Sequence, residues 1–135
     1  MSVRVLLADD EEEYATSLAR VLTRRGMVVK TVAGGQQAVA AMDQADFDVI
    51  LLDLRMPGMD GLATLAEIRR RGATLPVILH SGMADLPSVM SALEEGITNF
   101  MAKPCSIEAL CNAIEEAHEC CLLASGAKAK GDPRP

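Results

Sequence analysis

The sequence predicts one α/β domain built as a doubly wound parallel sheet. Three observations carry this. Short β-like runs alternate with helical ones five times along the chain. Two of those runs, Val49-Ile50-Leu51-Leu52 and Val77-Ile78-Leu79, are continuously apolar, as suits strands buried on both faces. The chain has 135 residues, of which 50% are hydrophobic, enough for one sizeable core.

The elements follow in order. Val3 to Ala8 is strand-like. Glu11 to Arg25 reads as a helix, with Tyr14, Leu18, Val21 and Leu22 at helical spacing. Gly26 ends it, because glycine tolerates the left-handed cap conformation. Val28 to Val32 is a second strand, and Gln36 to Met42 a short helix. The apolar run at 49–52 is the third strand. After Asp60-Gly61, Leu62, Leu65 and Ile68 mark the third helix. The run at 77–79 is the fourth strand. Asp85 can cap a fourth helix, with Pro87 in its first turn and Gly96 past its end. Asn99 to Ala102 is the fifth strand. Ser106 is a good N-cap for the last helix. Its apolar face is Ile107, Leu110, Cys111, Ile114 and Cys121, and its wet face is Glu108, Asn112, Glu115, Glu116 and Glu119. The expected domain covers 1–122. Residues 123–135, rich in Ala, Gly, Lys and Pro, are expected to be a flexible tail or linker.

Composition narrows the function classes. With two Phe, one Tyr and no Trp, the core is aliphatic, and eight Met serve as filler. A net charge of -6 and a pI near 4.8 oppose direct nucleic-acid binding by this segment. No apolar run approaches the roughly 20 residues that span a bilayer, so no membrane partner is expected. Acidic residues already at position 9 do not fit a signal peptide, and a cytoplasmic location is expected. The four Cys are then expected to be reduced thiols. His118, Cys120 and Cys121 lie close in sequence, but no paired C-x-x-C spacing supports a metal site there.

In a parallel sheet of this kind, ligands bind beyond the C-terminal strand ends, where the strand order reverses. The first strand ends at or just before Asp9-Asp10, the third just before Asp53, the fourth just before His80-Ser81 and the fifth just before Lys103. These residues therefore converge on one edge. Carboxylates crowded together oppose each other's ionisation, and a divalent cation resolves the conflict. Oxygen ligands without thiolate or imidazole suit Mg²⁺. An aspartate can act as nucleophile and form an acyl phosphate. Lys103 can pair with a phosphate oxygen, and the Ser81 hydroxyl can donate to another. There is no P-loop and no G-x-G-x-x-G, so the phosphoryl donor is expected to be something other than bound ATP. Singly, each residue has a plainer reading. Asp9 to Glu13 suits a helix N-terminus, Asp53 a cap, Ser81 a turn, Lys103 a solvated surface and Phe100 the core. Their joint placement overturns those readings.

Leu6-Leu7-Ala8-Asp9-Asp10-Glu11, Leu51 to Gly61, His80-Ser81-Gly82 and Lys103-Pro104 together resemble the signature segments of bacterial response-regulator receiver domains. The resemblance spans about residues 3 to 121. It implies a flavodoxin-like fold with strand order 2-1-3-4-5 and five helices. It also implies roles. Asp53 takes a phosphoryl group from a histidine kinase or phosphotransfer protein. Asp10, Asp53 and the Arg55 backbone carbonyl bind Mg²⁺, with Asp9 acting through a metal-bound water. Ser81 and Lys103 contact phosphoryl oxygens, and a cis Lys103-Pro104 bond aims the lysine inward. Phe100 is the switch aromatic, turning inward as Ser81 moves. Arg55 and Met83 are the variable residues flanking the site, which influence the lifetime of the phosphoryl group. For this chain, Met83 is expected to shield the phosphoryl group from water and Arg55 to pair with its oxygens. The implied output is a change in the face made by the fourth helix, fifth strand and fifth helix. That face is read by a downstream effector or output domain, or by homodimerisation. The implied activity is confined to the protein's own phosphorylation and dephosphorylation; it is not an enzyme of turnover.

Two departures stand out. Cys105 follows Lys103-Pro104 where Phe is common, and His80 precedes Ser81 where a hydrophobic residue is common. His80 is read as structural. Two other functions fit parts of the pattern less well. A haloacid-dehalogenase-like phosphatase needs an acid two residues after the nucleophile, and here that residue is Arg55. A non-phosphorylated pseudo-receiver module usually lacks one of the acidic, Ser/Thr or Lys positions, and all are present.

Overall fold

The computed structural model describes residues 2–56, 58–82 and 86–130. The chain order is β1 (Arg4–Ala8), α1 (Glu12–Arg24), β2 (Val28–Val32), α2 (Gly35–Gln44), β3 (Val49–Leu52), α3 (Gly61–Arg70), β4 (Val77–Ser81), α4 (Leu86–Glu95), β5 (Asn99–Ala102) and α5 (Ile107–Lys130). All ladders are parallel, and the sheet order is β2-β1-β3-β4-β5, as the resemblance implies.

The period-two alternation of strands divides the core into two layers. Val5, Leu7, Val49, Leu51 and Ile78 pack with Leu18 and Leu22 of α1 and Leu110, Cys111 and Ile114 of α5. Leu6, Ala8, Ile50, Leu52, Val77 and Leu79 face the other way, toward Ala38 and Ala41 of α2, Leu65 and Ile68 of α3 and Ala92 of α4. Every residue of β3 and β4 is buried, which explains their unbroken apolar runs. Each fully buried Leu or Ile contributes about 1.5–3 kcal/mol relative to exposure.

Local signals set the helix ends. The Asp60 carboxylate accepts from the Ala63 N–H at 2.9 Å and caps α3. The Ser106 hydroxyl likewise accepts from Ala109 at 3.0 Å. Gly26, at φ 94, turns the chain out of α1. The proposed Asp85 cap lies outside the described residues.

Some boundaries differ from expectation. β4 continues through His80 and Ser81, because the ladder pairs His80 with Met101 and Ser81 with Ala102. A polar side chain does not end a strand whose backbone partners persist. α5 runs to Lys130, into the segment expected to be flexible. Ala, Leu and Lys are strong helix formers, and one Gly costs only about 1 kcal/mol. No helix among the described residues is long and apolar enough to cross a membrane.

Candidate functional site

The strand order reverses at β1 and β3, so the crevice opens at their C-terminal ends. The ladder hydrogen bonds extend one residue past each strand. The Asp9 N–H donates to Val32 O at 3.0 Å, and the Asp53 N–H donates to Ala8 O at 2.9 Å. Both aspartates are thereby fixed by sheet backbone rather than by loop, and both are buried. Asp10, next to Asp9, is exposed. One carboxylate oxygen from each of Asp9, Asp10 and Asp53 lies within 4.8 Å of the others.

Lys103 reaches this cluster from the end of β5. Its Nζ is 2.6 Å from Asp9 Oδ2, 2.8 Å from Glu11 Oε1 and 3.3 Å from Asp53 Oδ2. Its backbone N–H donates to Ser81 O at 3.1 Å, which ties the ends of β4 and β5 together. The Lys103-Pro104 bond is cis. An open cleft of about 510 Å³ collects Asp10, Asp53, Arg55, Ser81 and Lys103 with Glu11 and Tyr14. A neighbouring cleft of about 480 Å³ shares Asp10 and Arg55 and extends to Asp60 and Ser88.

The electrostatics follow from burial and this crowding. Burial raises the Asp9 carboxyl above the ordinary range. Hydrogen bonds from Lys103 and the Glu11 N–H oppose the rise, and the Asp53 charge adds to it. For Lys103, burial alone would lower the pKa, but the Asp9, Glu11 and Asp53 carboxylates outweigh it and raise it. The ammonium therefore stays charged at every physiological pH.

The donor set fits a hard divalent cation. It offers carboxylate oxygens only, and the negative charge of Asp9, Asp10, Glu11 and Asp53 exceeds what Lys103 offsets. Asp9 already accepts from Lys103 and from the Glu11 N–H at 2.9 Å. It has less capacity left for a direct ligand than exposed Asp10. The Arg55 N–H donates to Asp53 Oδ1 at 3.2 Å, which brings the Arg55 backbone to the site.

Glycine at the start of α3 is part of the site's construction. A Cβ on Gly61 would stand 2.4 Å from Asp53 O and 2.7 Å from Leu54 Cα. Only glycine lets the helix approach the Asp53 backbone this closely.

The structure brings together Asp9, Asp10, Asp53, Arg55, Ser81 and Lys103. Phe100 is half-buried on β5 and packs against the second core layer. Met83 lies outside the described residues. Two further residues join the site in three dimensions. Glu11 belongs by sequence to an acidic helix start and to the first signature segment, yet its carboxylate also holds Lys103. Tyr14 shares the helical spacing of the apolar stripe, yet the Lys103 ammonium sits 4.6 Å from its ring centroid. Its spacing of three residues from Glu11, one turn along the same helix face, was the available signal.

His80 is buried, and both ring nitrogens are engaged. Nδ1 is 3.1 Å from Met101 O, and Nε2 is 2.5 Å from the Tyr14 hydroxyl. A carbonyl can only accept, so Nδ1 carries the proton. Burial lowers the His80 pKa and keeps the ring neutral, so Nε2 accepts from the Tyr14 O–H.

Comparison with known proteins agrees with this fold. Residues 5–115 match the family model described as the response regulator receiver domain. The chain is 36% identical over 108 residues to the transcriptional regulatory protein TcrA of Mycobacterium tuberculosis, covering 80% of this chain and 43% of that protein. It is 36% identical over 113 residues to the DNA-binding transcriptional regulator NtrC of Salmonella typhimurium, covering 84% of this chain and 24% of NtrC. The chain thus spans less than half the length of these relatives. Among solved structures, NtrX from Brucella abortus superposes with a TM-score of 0.88 at 29% identity, over 96% of this chain and 29% of NtrX.

Proposed function

The chain belongs to the response regulator receiver domain family, and from that premise we propose that it is a phosphoacceptor switch that takes a phosphoryl group onto Asp53. The observation that carries this reading is the shared ammonium of Lys103. It is held between buried Asp9 and Asp53 at the point where strand order reverses, with Ser81 at the adjacent strand end.

Each residue has a physical task. An Asp53 carboxylate oxygen attacks the phosphorus of a phosphohistidine on a histidine kinase or phosphotransfer protein. The phosphorus–nitrogen bond breaks, an acyl phosphate forms, and the released imidazole takes its proton from water. Lys103 neutralises one phosphoryl oxygen and the Ser81 hydroxyl donates to another. Asp10, Asp53 and the Arg55 carbonyl would hold Mg²⁺, with Asp9 orienting a coordinated water. When bound, Mg²⁺ would supply neutralisation of charge as the phosphoryl group arrives. Arg55 lines the cleft and can pair with the product phosphate.

The acyl phosphate adds roughly -1.5 to -2 charge units to a site already rich in carboxylates. That change draws Ser81 inward and biases the packing of Phe100 and α4. Exposed Met90 and Leu93 on α4 supply an apolar surface for a downstream effector, an output domain or a second copy. The activity is confined to the protein's own phosphoryl group, in a cytoplasmic signalling pathway.

The test is incubation with Mg²⁺ and acetyl phosphate followed by intact mass. One phosphoryl adduct is expected on the parent and none on Asp53→Asn. No adduct on the parent, or an equal adduct on the variant, would sink the reading.

A further inference from the structure

β4 is buried along its whole length, yet its fourth residue is a histidine. An apolar side chain would be the cheaper occupant, since a buried imidazole is tolerated only when its nitrogens find partners. Both do. Nδ1–H reaches Met101 O on β5, and Nε2 accepts from Tyr14 on α1. The two rings lie 5.7 Å apart at 38°, so the phenol is held at its hydroxyl end by His80. The face of that ring lies under the Lys103 ammonium at 4.6 Å. Lys103 is therefore bounded by the carboxylates of Asp9, Glu11 and Asp53 and by one pinned aromatic face.

We propose that Tyr14 and His80 are positioning residues of the phosphoryl site. Their hydrogen-bonded pair fixes the aromatic face on which the Lys103 ammonium rests, and so sets how readily Lys103 engages the incoming phosphoryl group. The role in phosphoryl transfer rests on the phosphoacceptor reading above; the placement of Lys103 does not. Neither residue touches the reacting atoms. The carboxylates alone leave the ammonium a choice of three partners at 2.6, 2.8 and 3.3 Å. The ring narrows that choice, because it attracts the cation without competing for its hydrogen bonds. As phosphoryl oxygens arrive on Asp53, Lys103 can exchange Glu11 for them while keeping contact with the same ring.

The experiment has two arms. The first is NMR of the unphosphorylated protein. The Lys103 ε-methylene protons should show an upfield ring-current shift from Tyr14, the only Tyr in a chain without Trp. The shift should vanish in Tyr14→Leu and shrink in His80→Leu, while His80→Gln, which can still accept from the phenol, should keep most of it. Survival of the full shift in His80→Leu would overturn the positioning claim, whether or not the parent accepts phosphate.

The second arm measures phosphoryl uptake from acetyl phosphate at saturating Mg²⁺. The maximal rate should fall roughly threefold to tenfold in Tyr14→Leu and His80→Leu, the scale of one cation–π contact. The half-saturating donor concentration should not move. His80→Gln should recover part of the loss, and Tyr14→Phe/His80→Leu should be no slower than the slower single variant. Rates within twofold of the parent, or losses that only track the unfolded fraction seen in urea titration, would refute the role in transfer. A parent that takes no phosphoryl group refutes that role together with the phosphoacceptor reading, and the NMR arm still decides the positioning.

Discussion

Gly61→Ala should damage the site without touching a side chain in it. The new Cβ would lie 2.4 Å from the Asp53 carbonyl oxygen and 2.7 Å from Leu54 Cα. Both are backbone atoms in a segment anchored by the Asp53 N–H to Ala8 O at 2.9 Å and the Gly61 N–H to Leu54 O at 2.9 Å. Relief to the 3.0 Å that real Cβ contacts respect requires at least 0.6 Å of movement between α3 and the end of β3. Overpacking of this kind costs about 1–3 kcal/mol. A displacement approaching 1 Å at a reacting group can cost on the order of a hundredfold in rate. The assay pairs urea unfolding with the acetyl phosphate uptake rate. Gly26→Ala is the control. Its φ of 94 is strained for alanine, but nothing lies within 4 Å of the added Cβ, and it sits at the far end of α1. It should lose about 1 kcal/mol of stability and keep its phosphorylation rate. If Gly61→Ala loses no more rate than Gly26→Ala, the close approach of α3 does not position Asp53.

Mg²⁺ at a hundredfold excess over its Kd should stabilise the parent by about 2.7 kcal/mol in thermal unfolding, and Asp10→Asn should lose most of that gain. Burial depresses the His80 pKa below 6.5, so the neutral ring's contribution to stability is complete above pH 6.5 and is lost as pH falls through the folded value. Urea midpoints should therefore decline below pH 6.5 in the parent and decline less in His80→Leu. Asp9 has the opposite sign to a typical paired carboxylate. Its raised pKa means that ionisation opposes folding at neutral pH, so Asp9→Asn should raise the thermal midpoint at pH 7 and lose that advantage in acid. Arg69 donates to three carbonyls, Ala73 O at 3.0 Å, Leu75 O at 2.9 Å and Gly96 O at 2.7 Å. Arg69→Ala should cost about 2 kcal/mol by urea titration, and Arg69→Lys should not restore it, since an ammonium lacks the planar fork.

The fold class was legible because its signals are local. Unbroken apolar runs at 49–52 and 77–79 can be satisfied only between two layers of helices, and strict alternation leaves few topologies. The acidic, serine and lysine residues were legible for a related reason, since parallel strands bring their C-terminal ends to one edge whatever the spacing in the chain. The strand order was not derivable from periodicity and came with the resemblance. Asp53 itself was legible, but not the Gly61 backbone packed against its carbonyl, because the contact between α3 and β3 is set by helix packing. His80 is the plainest case of a residue whose meaning was decided in three dimensions. As a lone histidine after an apolar run it reads from sequence as structural. Its partners, Tyr14 and the Met101 carbonyl, lie 66 and 21 positions away, and no local rule joins them. Glu11 and Tyr14 showed their helical spacing but not their target, because Lys103 arrives 92 residues after Glu11 from another strand. Local pattern determined which residues point inward and which strand ends carry charge. Which of those groups meet, and which stays charged, followed only once packing set their distances and removed their water, because Coulomb energies and burial are properties of neighbours in space.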